Sequence, residues 1–301
     1  MTQQPFHKSV LINEVLQYLN IQPNKTYLDV TFGGGGHTTA ILNAEKTCKV
    51  IALDWDKNTI QKNAPPLQKK FGQRLNVIWG SFANIEKILT KEKIKSIDGI
   101  LADFGTSQYQ IQNIPGISFQ TDMPLDMRVS PAHNRLKASE VLNRFTPKEL
   151  EQIFSKYGEE RRSRTIALKI VEQRKREKFK TANQLTKLIE SITPKYKAPR
   201  KKYYIHPATK VFQALRIYVN KELENIEEFL PAAANFLTPQ SRLVCISFHS
   251  LEDRIVKLFF RQQNKEKILK ILTPKPIIPT KEESTLNPSA RSAKLRAAEK
   301  I

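Results

Sequence analysis

The residues best able to do chemistry sit in the first third of the chain. Residues 26–42 read TYLDVTFGGGGHTTAIL, with Gly33 to Gly36 in one run between two apolar stretches. Glycine is entropically costly to order, so four in a row need a reason. A slack surface linker is one reading. A ligand that comes too close to the backbone for any side chain is the other, and the neighbours favour it. A strand-like segment precedes the run and a helix-compatible one follows. In open α/β sheets, ligands bind at such turns, beyond the carboxyl ends of the strands. Bare backbone and helix amides there suit polar or anionic groups. Asp54 ends the next strand-like segment, 18 residues after Gly36. An acid so placed accepts hydrogen bonds from ribose hydroxyls, which predicts a nucleoside-containing cofactor. Thr38 stands where a dinucleotide fingerprint wants its third glycine, and this weighs weakly against NAD. Asp103 closes a further strand-like segment on the same sheet edge, where it can face a substrate beside the cofactor. ADFG at 102–105 also matches a protein-kinase triplet, but neither an H-R-D loop nor a V-A-I-K lysine accompanies it.

These residues need a frame to hold them. TYLDV, KVIALDW, LNVIWGSF and IDGILADFG read as short strands, with helix-compatible stretches near 38–44 and 57–71 between the first three. Strand and helix alternating at this spacing predict a parallel sheet covered on both faces. Residues 108–134 lack a regular period and carry Pro115, Pro124 and Pro131. A charged helical zone follows, about 136–192. In it TPKELEQIFSKYG opens with Thr146 as N-cap, Pro147 first and Glu149 as capping-box partner, and Gly158 is expected to terminate the helix. A loop with Pro194, Pro199 and Pro207 leads back to regular α/β structure: one or two helices, the buried strand SRLVCISF, and the helix HSLEDRIVKLFFRQQ. The Pro- and Lys-rich tail from about 264 is expected to wrap the surface or to be partly mobile. The whole predicts a doubly wound α/β domain from 1–108 and 206–301, interrupted by a mostly helical, basic insertion at 109–205.

Composition narrows the partners. Fifty Lys+Arg against 29 Asp+Glu give the 301-residue chain a net charge of +21, which favours a polyanion such as nucleic acid. Residues 158–202 alone hold 15 Lys+Arg and 5 Asp+Glu, so the surplus is concentrated. No apolar run approaches a membrane span, and the N-terminus lacks a signal-peptide core, so an intracellular protein is expected. Cys48 and Cys245 lie in or beside apolar segments and read as buried free thiols rather than a disulfide or a zinc site.

Eight stretches, in order from residue 7 to 300, carry a resemblance: HKSVLINEVLQYL, DVTFGGGGHTTAIL, DGILADFGTS, GISFQTDMPLDMR, YGEERRSRTIALKIVEQR, HPATKVFQALRIYVNKELENIE, VCISFHSLEDRIVKLFF and NPSARSAKLRAAEK. Together they resemble the ribosomal RNA small subunit methyltransferase H family, also called MraW. The resemblance implies a class I Rossmann-like methyltransferase fold with an inserted domain. It implies S-adenosyl-L-methionine as cofactor and methylation of N4 of a cytidine in the decoding region of bacterial-type small-subunit rRNA. By position it puts cofactor contacts on Gly35, Gly36, His37, Asp54, Phe82, Asp103 and Gln110. The expected partner is small-subunit rRNA or the assembled small subunit, in a bacterial-type cytoplasm or, for an organelle-encoded copy, a plastid or mitochondrion. No membrane partner is expected, and a homodimer stays open.

Asp103 is the candidate acceptor for the amino hydrogens of the target base, assisted by the Phe104 to Thr106 carbonyls. His249 and Asp253 are candidate catalytic residues of the acceptor pocket, with a capping or structural network as the alternative. Phe104, Tyr109 and Phe119 are candidates for stacking on an unstacked base. The chain departs from the family pattern where Gln108-Tyr109 replace a Ser-Pro pair, Pro115 an arginine, Ile117 an aromatic and Met123 a glycine. Trp55 likewise replaces an arginine, with ordinary packing or a place beside the adenine as its readings. A non-catalytic RNA-binding factor on the same fold is the rival reading, and an NAD-dependent oxidoreductase a more distant one.

Overall fold

The computed structural model describes residues 9–106, 108–193 and 206–301. Ser107, the Tyr109 side chain and the basic stretch at 195–202 lie outside the described residues. The chain divides into two compact units, residues 1–108 with 223–301 and residues 109–222.

In the first unit α1 (Ile12–Leu19) precedes β1 (Thr26–Asp29), α2 (Gly36–Ala44), β2 (Lys49–Asp54), α3 (Lys57–Phe71), β3 (Leu75–Trp79), α4 (Ile85–Lys91) and β4 (Ile97–Asp103). The second unit holds α5 (Gln108–Asn113), α6 (Ala138–Arg144), α7 (Pro147–Gly158), α8 (Ser163–Arg176), α9 (Ala182–Ser191) and α10 (Thr209–Asn220). The chain then returns through α11 (Glu222–Phe236), β5 (Leu237–Ser247), α12 (Ser250–Lys265), β6 (Leu269–Ile271), α13 (Lys281–Leu286) and β7 (Lys294–Lys300).

The described strands form a seven-stranded sheet in the order β3-β2-β1-β4-β5-β7-β6. The five from β3 to β5 are parallel, and β7 runs antiparallel between β5 and β6. Each central strand buries alternate residues on opposite faces. Tyr27, Val50, Leu101 and Val244 pack with Val15, Leu19, Ile41 and Ala64 of α1 to α3. Leu28, Ile51, Ile100 and Leu243 pack with Leu89, Phe229, Leu230 and Val256 of α4, α11 and α12. This is the doubly wound α/β architecture expected from the strand-helix alternation. The order reverses between β1 and β4, the switch point at which such sheets hold ligands.

Three expectations are corrected. The tail is not a surface wrap, because β6 and β7 extend the sheet, with Leu269, Leu295, Ala297 and Ala298 buried. KLRAAEK has little β-propensity, so pairing with β5 and burial impose the strand. The return to the first unit comes after Glu222 rather than at 206, because α10 packs along α7 inside the second unit. The helix that ends at Gly158 is capped as expected at its start, where Thr146 Oγ1 accepts from the Glu149 amide and Glu149 Oε2 from the Thr146 amide. Its terminator, however, is Glu159, at φ 47°. Gly158 stays helical and is small for a different reason: a Cβ there would lie 2.6 Å from the Lys210 carbonyl oxygen of α10.

No helix among the described residues is long and apolar enough to cross a membrane.

Gly158→Ala sets two effects against each other. Alanine gains roughly 1 kcal/mol of helix propensity, but overpacking against backbone that cannot swing aside costs about 1–3 kcal/mol. The expected outcome is a net loss of stability and a lower midpoint of thermal unfolding. A midpoint at or above the wild-type value would remove the close-approach explanation.

Candidate active site

The glycine run begins the site. Gly33 and Gly35 take φ of 51° and 74°, a region side chains disfavour. A Cβ on Gly35 would also strike Leu67 and Phe32, and one on Gly36 would strike Ser9. Gly34 differs, since a Cβ there meets nothing within 4 Å. No protein packing asks for a glycine at that point, and its backbone faces open space at the start of α2. Gly35 caps α2 without a side-chain hydrogen bond, which leaves amides of its first turn available.

The loop is clamped from both sides. The Gly33 amide donates to Asp54 Oδ2 at 2.8 Å, and its carbonyl accepts from Asn63 Nδ2 at 3.1 Å. Asp54 Oδ1 accepts from the Asp56 amide at 2.8 Å. Asp56 in turn caps α3 through the Asn58 and Thr59 amides. Asp54 is thus the brace of the glycine loop, with a lone pair left on each oxygen. Burial is the main influence on its carboxyl and pushes its pKa up to about 7, against the two amide bonds.

Asp29 ends β1 with no exposed surface. Its Oδ2 accepts from the Thr38 hydroxyl at 2.7 Å, and its Oδ1 from the Thr31 amide at 3.1 Å and hydroxyl at 3.3 Å. Burial pushes its pKa up as well. Thr31 Oγ1 accepts from the Asp103 amide at 2.8 Å, so the ends of β1 and β4 are pinned together. Three carboxylates, Asp54, Asp29 and Asp103, therefore end the adjacent strands β2, β1 and β4.

The Asp103 carboxylate is held less firmly than its backbone. Oδ2 lies 3.5 Å from His37 Nε2, without hydrogen-bond geometry. Asp103 Oδ1 and both ring nitrogens of His37 are buried and have no hydrogen-bond partner among the described residues. His37 itself is 5% exposed. Buried polar atoms are normally paired, so orphans gathered at a strand end mark a place where a ligand completes the bonding.

The remaining expected residues divide. Phe82 meets Phe104 and Phe229 with ring centroids 5.7 Å and 5.5 Å apart, and Phe104 meets Phe229 at 6.0 Å. Phe82 and Phe104 are thus both half-buried members of one aromatic cluster. Phe119 is likewise engaged, stacked on His206 at 4.6 Å. Gln110 is buried in α5, in the second unit. The Trp55 carbonyl accepts from Trp79 Nε1 at 2.9 Å.

His249 is the N-cap of α12 at the carboxyl end of β5, where Nδ1 accepts from the Glu252 amide at 3.4 Å. Glu252 is 1% exposed, and its Oε2 accepts from the Phe248 amide at 2.7 Å. The Asp253 carboxylate is gripped by Arg296 of β7, with Nε at 2.6 Å from Oδ1 and a terminal nitrogen at 3.2 Å from Oδ2. That buried pair fastens α12 to the sheet, which is the structural-network alternative for Asp253.

Sequence reading missed Thr31, Thr38, Asn63, Glu252 and Arg296. Thr38 carried a signal, since it fills the third-glycine position of a dinucleotide loop and its hydroxyl holds Asp29 instead. Glu252 carried one too, three residues after the His249 cap, whereas Asn63 and Arg296 meet partners distant in the chain.

In the second unit, the basic cluster at 161–164 splits. Arg162 is engaged internally, with Glu160, the Ile192 carbonyl and the Thr193 hydroxyl as partners. Arg161 and Arg164 are exposed.

Asp54 gives a pH signature. Its folded pKa, about 7, lies above the ordinary value near 4. The folded state thus binds this proton more tightly. The resulting stabilisation is full below about pH 4 and is lost as pH rises to about 7. Thermal melts of the ligand-free protein should show wild type losing stability relative to Asp54→Asn between about pH 5 and about pH 8. A constant difference across that window would contradict the buried-carboxyl account.

The profile of the family described as the MraW methylase family matches residues 4–301. A protein named ribosomal RNA small subunit methyltransferase H from Carboxydothermus hydrogenoformans is 42% identical over 311 residues, covering 98% of each chain. Proteins of the same name from Endomicrobium trichonymphae and Desulfotalea psychrophila are 45% and 43% identical, covering 98% and 100% of this chain and 99% and 100% of theirs. With a full-length profile match and relatives this similar end to end, the chain belongs to the MraW methylase family.

Proposed function

We propose that this chain transfers a methyl group from S-adenosyl-L-methionine to N4 of a cytidine in the decoding region of small-subunit rRNA. Family membership and the names of the relatives support the reaction class and the RNA. The observation that carries the chemistry is Asp103 Oδ1, a buried carboxylate oxygen without a hydrogen-bond partner among the described residues, at the end of the strand beside the glycine loop.

The residues present fit the cofactor. The open backbone at Gly34 and the first turn of α2, which has no side-chain cap, suit a zwitterionic amino-acid moiety. Asp54 keeps acceptor capacity for ribose hydroxyls, and Phe82 offers an apolar ring edge for a base. When bound, S-adenosylmethionine supplies an electrophilic methyl group on a sulfonium.

The protein's task is then alignment and proton handling. The exocyclic amine of cytosine is a weak nucleophile because its lone pair is delocalised into the ring. An acceptor at an amino hydrogen returns electron density to nitrogen and takes the proton as the N–C bond forms. Asp103 Oδ1 is that acceptor in this reading, with the carbonyls of Phe104 to Thr106 beside it. The second unit, rich in exposed Lys and Arg, supplies phosphate contacts. The bacterial relatives fit a cytoplasmic, ribosome-directed enzyme.

Attack through carbon-5 of the ring would need a thiolate nucleophile. Cys48 and Cys245 are both buried. Cys245 lies within β5, between Ala102 and Arg296, and burial drives its thiol pKa far up. Labelled cofactor and small subunits lacking the modification should therefore yield N4-methylcytidine on nucleoside analysis. The Cys48→Ala/Cys245→Ala protein should keep the chemistry at some cost in stability. Recovery of 5-methylcytidine, or a folded but inactive double variant, would defeat the assignment.

Arg161→Glu with Arg164→Glu should weaken RNA binding and flatten its dependence on salt, lowering the slope by up to about two phosphate contacts. Arg162→Glu, by contrast, should act mainly on thermal stability. An unchanged salt slope in the first variant would move the RNA contact elsewhere.

A further inference from the structure

We propose that the His37 imidazole is a positioning residue for methyl transfer, steering the Asp103 carboxylate toward the acceptor amine; this rests on the reaction proposed above. The starting point is an imbalance. The Asp103 backbone is tied down through Thr31, while the carboxylate that would meet the substrate accepts no hydrogen bond among the described residues. His37 Nε2 lies 3.5 Å from Oδ2. His37 is 5% exposed, with both ring nitrogens unpartnered. Asp29, at the end of β1, is the other carboxylate in electrostatic reach of this ring. Asp29 already accepts three hydrogen bonds, from Thr31 and Thr38. Asp54 is turned to Gly33 and Asp56. Asp103 is thus the least engaged of the three carboxylates and lies 3.5 Å from His37 Nε2.

A neutral imidazole carries one N–H. Placed on Nε2, it faces Oδ2, and a small rotation of either side chain closes the 3.5 Å gap to a hydrogen bond. That bond fixes the carboxylate plane and presents Oδ1 outward. The bookkeeping of the step is simple. The nitrogen lone pair forms the N–C bond, the methyl–sulfur bond breaks with its pair left on sulfur, and the amine proton passes to Asp103 Oδ1. His37 keeps its own proton and touches neither reactant in this role.

The test is a double-mutant cycle on full-length protein, with single-turnover methylation of small subunits and cofactor calorimetry as separate readouts. His37→Phe should slow the single-turnover rate by about 10²-fold, the usual scale for a misplaced catalytic group, with cofactor affinity changed less than about threefold. His37→Gln retains an N–H donor and should recover most of that rate. In an Asp103→Asn background, adding His37→Phe should cost less than about threefold more, because residues acting as a unit are non-additive. If the Phe variant does not fold, His37→Ala replaces it in the cycle. Additive losses, a Gln variant as slow as Phe, or equal losses of affinity and rate would overturn the assignment. An active wild type with any of those results defeats this inference alone. A wild type inactive on small subunits defeats the proposed reaction and this inference with it.

Discussion

Asp29 is the carboxylate around which the site is arranged. It has no exposed surface, it ends the central strand β1, and it holds Thr31 and Thr38 at the two ends of the glycine loop. Burying an ionisable acid is expensive unless hydrogen bonds stabilise it. Three donors do so here, and each belongs to a segment the site needs in place. Thr38 sets the first turn of α2, and Thr31 passes the constraint to the amide of Asp103. Without this link, β1 and β4 would still pair along their length. Their ends, where the sheet order reverses, would have no common reference.

The neighbouring strand repeats the arrangement with a looser outcome. Asp54 also braces backbone, but each of its oxygens accepts one amide and keeps capacity for another partner. Asp103 accepts none among the described residues. Across the three strand ends the carboxylates thus accept three, two and, among the described residues, no hydrogen bonds. The protein spends its hydrogen bonds on loop geometry at Asp29 and withholds them where a ligand or a reacting amine must be met. That gradient is a feature of binding sites rather than cores, where unpaired buried atoms are rare.

Elsewhere the same economy serves structure alone. Asp253 and Arg296 join α12 to β7, and Asn220 holds the 127–129 loop, accepting from the Val129 amide and donating to the Met127 carbonyl. Each is a fully used polar group, and its residue type alone does not distinguish it from a catalytic one. Asp253 beside His249 looks like an acid-base pair in the chain. In space its oxygens belong to a strand 43 residues further on.

Much of the first unit was legible in the chain, for local reasons. Period-two and period-3.6 patterns record burial on one or both faces, and the glycine run, Asp54 and Asp103 occupy strand ends that follow from those patterns. The capping box at Thr146 is local as well, since both partners lie within one turn. What only tertiary structure decided involves partners distant in the chain. β7 is a strand because β5 offers an edge, although KLRAAEK shows little preference for one. Gly158 is small because α10 crosses it, while the local pattern pointed to a helix end. Arg162 and Asp253 are engaged by groups dozens of residues away, and Phe104 packs on rings of two other segments. The chain by itself determined which residues stand at the ends of the strands, because alternation and turn chemistry are written in neighbouring positions. Which of their polar atoms remain open for chemistry was decided by the fold, because a hydrogen bond depends on where its partner comes to lie.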